Sequence, residues 1–132
     1  MNTLSVNQAL HEKSSVSDLY CCIDGILNFD FENQSLQHYP KSERSSDNRY
    51  SYSLWIDEKG IYKFNDQTLK KWSGQRVVIC GELEVIDTNE ALIDGFDNGF
   101  GHFSLWNARI LVERIELKKR WLKNHTENQP IL

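Results

Sequence analysis

Residues 76–87, RVVICGELEVID, carry the pattern that decides the fold. Every second position is apolar or glycine: Val77, Ile79, Gly81, Leu83 and Val85. A period of two places these residues on one face of a β-strand and the residues between them on the other. Residues 19–31, LYCCIDGILNFDF, repeat the pattern around Gly25. Because a glycine inside a strand usually marks a bulge or a sharp bend, both segments predict curled strands.

Shorter elements are predicted between these two strands. Residues 36–39 favour a short second strand that Pro40 ends, because proline cannot donate to a central ladder. Residues 50–57, YSYSLWID, alternate again and predict a third strand. Residues 67–72, QTLKKW, predict a helix of barely two turns with Asp66 as its N-cap.

The last strand is predicted in residues 104–117, SLWNARILVERIEL. Its apolar residues change face partway along, so the strand needs a bulge near Glu113. A helix over residues 109–123 is the alternative, since Leu111, Ile115 and Leu122 are spaced near helical periodicity. The β-branched start favours a strand that becomes helical later, and the sequence leaves the end of this segment open.

Three strands, a short helix and two further strands form an order that resembles the OB-fold. The resemblance covers residues 19–117 and depends on this order together with Gly25 and Gly81. It implies an all-β protein: a five-stranded, OB-fold-like Greek-key barrel with a short helix between strands three and four. Residues 38–44, HYPKSER, and residues 99–117 also resemble segments of small bacterial proteins, a likeness that implies no activity.

A chain of 132 residues suits one domain. We expect that domain at residues 16–123, with flexible tails at residues 1–15 and 124–132. No apolar run approaches the roughly 20 residues of a membrane-spanning helix, and no secretory signal is visible. The sequence therefore predicts a cytoplasmic protein without a membrane partner, and it does not determine the oligomeric state.

The three cysteines are Cys21, Cys22 and Cys80. An odd number with two adjacent members is a poor disulfide framework, so reduced thiols in a core are expected. Zinc motifs contain closely spaced ligand pairs such as C-x-x-C, and none is present. The sequence predicts neither a metal site nor a cofactor.

A catalytic interpretation would pair His38 or His102 with Glu43 or Asp97 as acid and base. No nucleophile elbow and no convincing phosphate-binding loop accompanies these residues. We therefore expect a binding module and not an enzyme.

The OB-fold resemblance implies a ligand site on the outer face of strands two and three, flanked by loops. By alternation Tyr39 and Trp55 face outward there, with cations in the neighbouring loop. Aromatic rings beside cations are what single-stranded nucleic acid or a similar extended ligand requires. The alternative is that both rings pack against loops or the C-terminal tail. The predicted ligand residues are Tyr39, Lys41, Arg44, Arg49, Trp55, Phe96, Phe100 and His102.

The chain has a net charge of −4, whereas a nucleic-acid-binding protein is expected to carry a concentrated positive surface. Six acidic residues between Glu82 and Asp97 have no lysine or arginine among them. The alternative function is therefore an acidic protein-binding module, such as an immunity protein that neutralises a basic toxin. Its predicted partner-binding residues are Glu90, Asp94 and Asp97.

Overall fold

The computed structural model describes residues 3–11, 19–30, 32–44, 49–60, 63–85, 100–101 and 106–126. The described strands are β1 (Thr3–Ser5), β2 (Leu19–Phe29), β3 (Gln34–Gln37), β4 (Ser53–Glu58), β5 (Arg76–Val85) and β6 (Ala108–Leu117). The described α-helices are α1 (Val6–His11), α2 (Asp66–Trp72) and α3 (Lys118–Thr126). Two single-turn 3-10 helices, Lys41–Glu43 and Arg49–Ser51, lie between β3 and β4.

Five of the strands close into a barrel. β2 pairs with β3 and β3 with β4, both antiparallel. β4 then pairs with β6 in parallel, β6 with β5 antiparallel, and β5 returns to β2. The prediction of an all-β, five-stranded barrel is confirmed. One apolar core fills its interior, with Ile23, Leu36, Leu54, Ile79 and Ile110 fully buried.

The predicted bulge lies between β5 and β6. Cys80 is opposite Arg114 while Gly81 is opposite Val112, so Glu113 is the extra residue. A Cβ at Gly81 would overlap the carbonyl oxygen of Leu111, which explains why glycine occupies this position. The expected bulge near Glu113 is confirmed, and it accounts for the change of face along β6.

Gly25 allows a similar close approach in β2. A Cβ there would lie 2.6 Å from the carbonyl oxygen of Gln37 in β3. β2 pairs with β5 as far as Ile26 and with β3 from Ile26 onward. The glycine thus lies where the strand passes from one neighbour to the other, as expected of a bend position.

Several predicted boundaries need correction. β3 ends at Gln37, and β4 begins at Ser53 because the preceding residues form a 3-10 turn. The N-cap of α2 is Asn65 and not Asp66, since the Asn65 side chain accepts from the Thr68 N–H at 3.1 Å. β6 ends at Leu117 and continues directly into α3, so the segment that the sequence left open is first strand and then helix.

Residues 3–11 form a strand and a helix, whereas a flexible tail was expected at residues 1–15. β1 pairs in parallel with β2 beside residues 22–24. Val6 and Ala9 of α1 are completely buried in the barrel core. A three-residue strand and a six-residue helix are too short to give a periodic signal, which explains why the sequence did not predict them. At the other end α3 extends to Thr126, and residues 127–132 lie outside the described part.

A disulfide joins Cys22 to Cys80, so the expectation of reduced thiols is wrong for these two residues. They are direct partners in the β2–β5 register, 58 residues apart in sequence. Outside the barrel they pack with Val78 under Trp121 of α3, whereas Cys21 is a free thiol in the core. Disulfides are rare in cytosolic proteins, so this pair weighs against the cytoplasmic location that the sequence suggested.

None of the described helices is long and apolar enough to cross a membrane.

Candidate functional site

A cleft of about 640 Å³ lies on the outer face of β2 and β3. Its floor comes from the second half of β2, one wall from β3 and the loop after it, and the other from the turn after α2. It is lined by Ile26, Leu27, Asn28, Gln37, Tyr39, Lys41, Arg44, Ser73 and Gly74. We call it the Tyr39 cleft. It contains three of the residues that the sequence predicted to bind a ligand.

Tyr39 is the exposed aromatic residue of this cleft, with 41% of its surface accessible. The guanidinium carbon of Arg76 lies 4.2 Å from the centre of its ring. Arg76 in turn donates from Nε and Nη2 to both carboxylate oxygens of Asp24, at 2.8 Å each. These hydrogen bonds raise the pKa of Arg76, so the cation beside the ring stays charged. The ring is therefore held in place while much of it remains open to a ligand.

Only part of the Arg44 guanidinium is bonded to neighbouring residues. Its Nε donates to the carbonyl oxygen of His38 at 2.9 Å, and its guanidinium lies 4.8 Å from the ring centre of Tyr52. Its Nη2 is buried and has no hydrogen-bond partner in the described part of the chain. A buried donor without a partner costs about 1–3 kcal/mol. Lys41 adds a second, exposed cation to the cleft.

His38 and Glu43, paired in the catalytic interpretation, do meet. His38 Nδ1 accepts from the Asn7 N–H at 3.1 Å, so Nε2 carries the proton and donates to Glu43 Oε1 at 2.7 Å. The ring is only 1% exposed and both nitrogens are engaged. The pair therefore fastens α1 to the loop after β3, and it offers no free nitrogen to a substrate.

Trp55 does not offer the open face that the sequence predicted. It lies on the outer side of β4, between the core residues Leu54 and Ile56, but it is only 8% exposed. The ring of Trp106 packs against the Trp55 ring with 4.9 Å between their centroids. Nε1 of Trp55 donates to Asp57 Oδ1 at 2.8 Å. Alternation predicted the side of the sheet correctly. It could not reveal the residues that cover that side.

Phe100 and Trp106 form an isolated antiparallel β-bridge next to Trp55. Their backbones exchange two hydrogen bonds, at 2.8 and 3.1 Å. Gly101, inside this bridge, lies so close to Trp55 that a Cβ would overlap the indole. The Phe100 ring contacts the Arg109 guanidinium at 4.6 Å. We call Trp55, Phe100 and Trp106 the tryptophan cluster. Base stacking on Trp55 would require this cluster to open.

The predicted ligand residues thus separate into groups. Tyr39, Lys41 and Arg44 share the Tyr39 cleft, whereas Trp55 and Phe100 belong to the tryptophan cluster. Three others cannot be placed in a site: Phe96 and His102 lie outside the described residues, and Arg49 is described only in its backbone.

The acidic run is partly neutralised by residues from other strands. Glu82 forms an ion pair with Lys59 at 3.0 Å, and Glu84 forms one with Arg109 at 2.8 Å. Hydrogen bonds to Asp57 and Glu84 outweigh partial burial and raise the pKa of Arg109. The predicted partner-binding residues Glu90, Asp94 and Asp97 lie outside the described residues.

Some residues of the cleft were not predicted from sequence. Asn28 and Gln37 fall at outward positions of β2 and β3, so alternation alone contained a signal for them. Ser73 and Gly74 come from the turn after α2, which lies beside β2 only once the barrel has closed. The Gly74 N–H joins this turn to β2 by donating to the Leu27 carbonyl at 2.7 Å. Among the described residues, no cluster of three histidine, cysteine, aspartate or glutamate side chains is arranged to hold a metal ion.

Comparisons with family models, with curated proteins and with solved structures give no match for this chain.

Proposed function

We propose that this chain is a non-enzymatic, OB-fold-like module that binds single-stranded nucleic acid through the Tyr39 cleft. The strand order supports the fold assignment: the barrel runs β2-β3-β4-β6-β5 and closes on β2, with β4 and β6 parallel. The short helix α2 lies between the third and fourth barrel strands. Barrels of this kind use the face around their second and third strands for oligonucleotides and oligosaccharides. Those strands are β3 and β4 here, and the Tyr39 cleft adjoins that face through β3 and the loop after it.

The observation that carries the proposal is that Tyr39, Lys41 and Arg44 converge on one cleft. Single-stranded nucleic acid presents flat bases joined by phosphates, and it is bound by aromatic rings beside cations. Among the described residues, none that lines this cleft is acidic. The local charge is therefore favourable although the whole chain carries a net charge of −4.

The residues of the cleft suit the base and the phosphate of a nucleotide. The exposed ring of Tyr39 offers a stacking surface for a base. The amide side chains of Asn28 and Gln37 can donate to and accept from base edges. Arg44 and Lys41 supply positive charge in the cleft for the phosphates. A volume of about 640 Å³ falls within the usual range of small-ligand sites.

The geometry of His38 supports a binding role over an enzymatic one. It is the buried histidine closest in sequence to the cleft residues, and both of its nitrogens already have partners. A general acid or base must reach the proton that it transfers. Within the described part of the chain, the ring nitrogens of His38 reach Asn7 and Glu43.

The test is fluorescence anisotropy of labelled single-stranded DNA and RNA titrated with the protein at low and then physiological salt. Tyr39→Ala removes the stacking surface, and each stacked base contributes about 1–3 kcal/mol, so affinity should fall roughly 5- to 150-fold. Tyr20→Ala is the matched control, because Tyr20 is a similarly exposed tyrosine, 47% against 41%, and does not line the cleft.

Two results would contradict the proposal: no binding of either nucleic acid at low salt, or an equal loss from Tyr20→Ala and Tyr39→Ala. Arg44→Gln provides a second check, because loss of one phosphate contact should reduce the salt dependence of binding by about 0.7 in the slope of log K against log salt. Circular dichroism of each variant would establish that the fold is intact.

A further inference from the structure

We infer that a bound strand does not end at the Tyr39 cleft but continues across a basic surface formed by the end of α2 and by α3. This inference rests on the proposed function and extends it, because it assigns the path of the strand. The surface, which we call the basic track, consists of Lys70, Lys71, Lys119, Arg120 and Lys123. All five side chains are exposed.

The basic track is connected to the cleft through the end of α2. Ser73 and Gly74, which line the cleft, immediately follow the last turn of α2. On the α3 side, the Arg120 guanidinium carbon lies 6.0 Å from the ring centre of Trp72. The two helices that carry the track therefore meet beside the wall of the cleft.

A second connection runs through Asp24. This carboxylate accepts from Lys118, the first residue of α3, at 2.7 Å and from Arg76 at 2.8 Å. Arg76 in turn lies against the ring of Tyr39. One partly buried carboxylate thus links the start of α3 to the aromatic residue of the cleft.

The acidic residues near this surface do not cancel its charge. Asp24 is 13% exposed and already has two cationic partners. Asp66 lies in the first turn of α2, away from the two lysines in its last turn. Residues 118–126 contain four lysine or arginine residues and no acidic one. The excess of acid in the chain is therefore located elsewhere, and the track is positive.

Helix electrostatics alone would not place these cations in α3. Lysines in the last turn of α2 are favourable because that end of a helix carries partial negative charge. The first turn of a helix carries partial positive charge, yet α3 begins with Lys118, Lys119 and Arg120 and has no acidic residue there. Lys118 is satisfied by Asp24, whereas Lys119 and Arg120 are exposed. An external polyanion supplies the missing negative charge.

The experiment compares oligonucleotides of about three and about fifteen nucleotides, since OB-folds cover roughly 4 to 16 nucleotides. The longer one should bind more tightly and with a steeper salt dependence. Lys71→Gln and Lys119→Gln should each reduce that slope by about 0.7 for the longer strand and leave the shorter strand unchanged. Lys63→Gln is the matched control, because the Lys63 side chain is 74% exposed and lies before the start of α2.

The outcomes separate the two proposals. If Tyr39→Ala weakens both strands while Lys71→Gln and Lys119→Gln leave the long strand unchanged, the cleft proposal stands and the track is overturned. If both strands bind equally, or if Lys63→Gln acts as strongly as the track substitutions, the track is overturned. Failure of both strands to bind at low salt overturns both proposals. Displacement of the long strand by vesicles of anionic phospholipid at equal charge would also overturn the assignment of the track to nucleic acid.

Discussion

Arg76 lies against the ring of Tyr39, with 4.2 Å between the guanidinium carbon and the ring centre, and Asp24 holds that guanidinium through both of its oxygens. The three residues come from β5, the loop after β3, and β2. Lys118 at the start of α3 completes the group by donating to the same carboxylate. The aromatic residue of the cleft is thus positioned by strands and a helix that are distant in sequence.

Asp24→Asn should destabilise the fold by about 1–3 kcal/mol, because hydrogen bonds to charged groups contribute at this level and two cations lose their shared partner. Urea unfolding followed by circular dichroism measures the change. Glu32→Gln is the control, since it also removes one negative charge but from an exposed position. Equal stability of the two variants would show that the Asp24 contacts contribute nothing in solution.

Gly81→Ala should abolish folding or cost more than about 3 kcal/mol, because its Cβ would overlap the Leu111 carbonyl and lie 2.9 Å from its carbon. Gly60→Ala is the matched control. No atom of the described residues lies within 4 Å of a Cβ there, but the φ of 58° is left-handed, so only about 1–2 kcal/mol is expected. Thermal unfolding of both variants tests the difference. A small effect at Gly81 would mean that the bulge opposite Glu113 can shift.

The disulfide can be tested by counting thiols. Protein purified without reductant and denatured in the presence of an alkylating reagent should show one labelled cysteine per chain by mass spectrometry, namely Cys21. After reduction all three cysteines should be labelled. Three labels before reduction would contradict the Cys22–Cys80 pairing.

The Cys21 thiol should react slowly while the protein is folded. Burial raises its pKa from 9.0 to about 11, so at pH 8 its thiolate fraction is roughly 100-fold lower than that of an unperturbed thiol. Iodoacetamide labelling of the native and denatured protein at this pH measures the ratio. Native labelling as fast as that of the denatured chain would show that the thiol is accessible.

The same shift predicts a pH dependence of stability. Because the unfolded thiol ionises at lower pH than the folded one, the folded state binds more protons between about pH 9 and 11. The contribution of the Cys21 thiol to the free energy of unfolding is fully present below pH 9 and is lost as the pH rises through this window. Cys21→Ala should show a smaller decline of the unfolding free energy over the same range, and an identical decline would exclude this cause.

Local sequence determined the barrel strands. The alternation around Gly25 and Gly81 identified β2 and β5, and the change of face along residues 104–117 located the bulge at Glu113. These features depend on a residue and its neighbours along one strand, where a period of two and the lack of a Cβ have direct structural consequences. The OB-fold resemblance, together with the alternation and the cations of the next loop, predicted Tyr39, Lys41 and Arg44 as ligand residues, and their role in binding stays a prediction.

Only the tertiary structure decided which of those residues share a site. Pairing of β2 with β5 brought Cys22 to Cys80, and the Phe100–Trp106 bridge covered Trp55. The closed barrel placed the turn after α2 beside β2 and thereby formed the Tyr39 cleft. Alternation specifies which face of a strand a side chain occupies, but it carries no information about what packs on that face. Burial, disulfide pairing and the convergence of side chains are set by contacts between segments far apart in sequence, and these exist only once the barrel has closed.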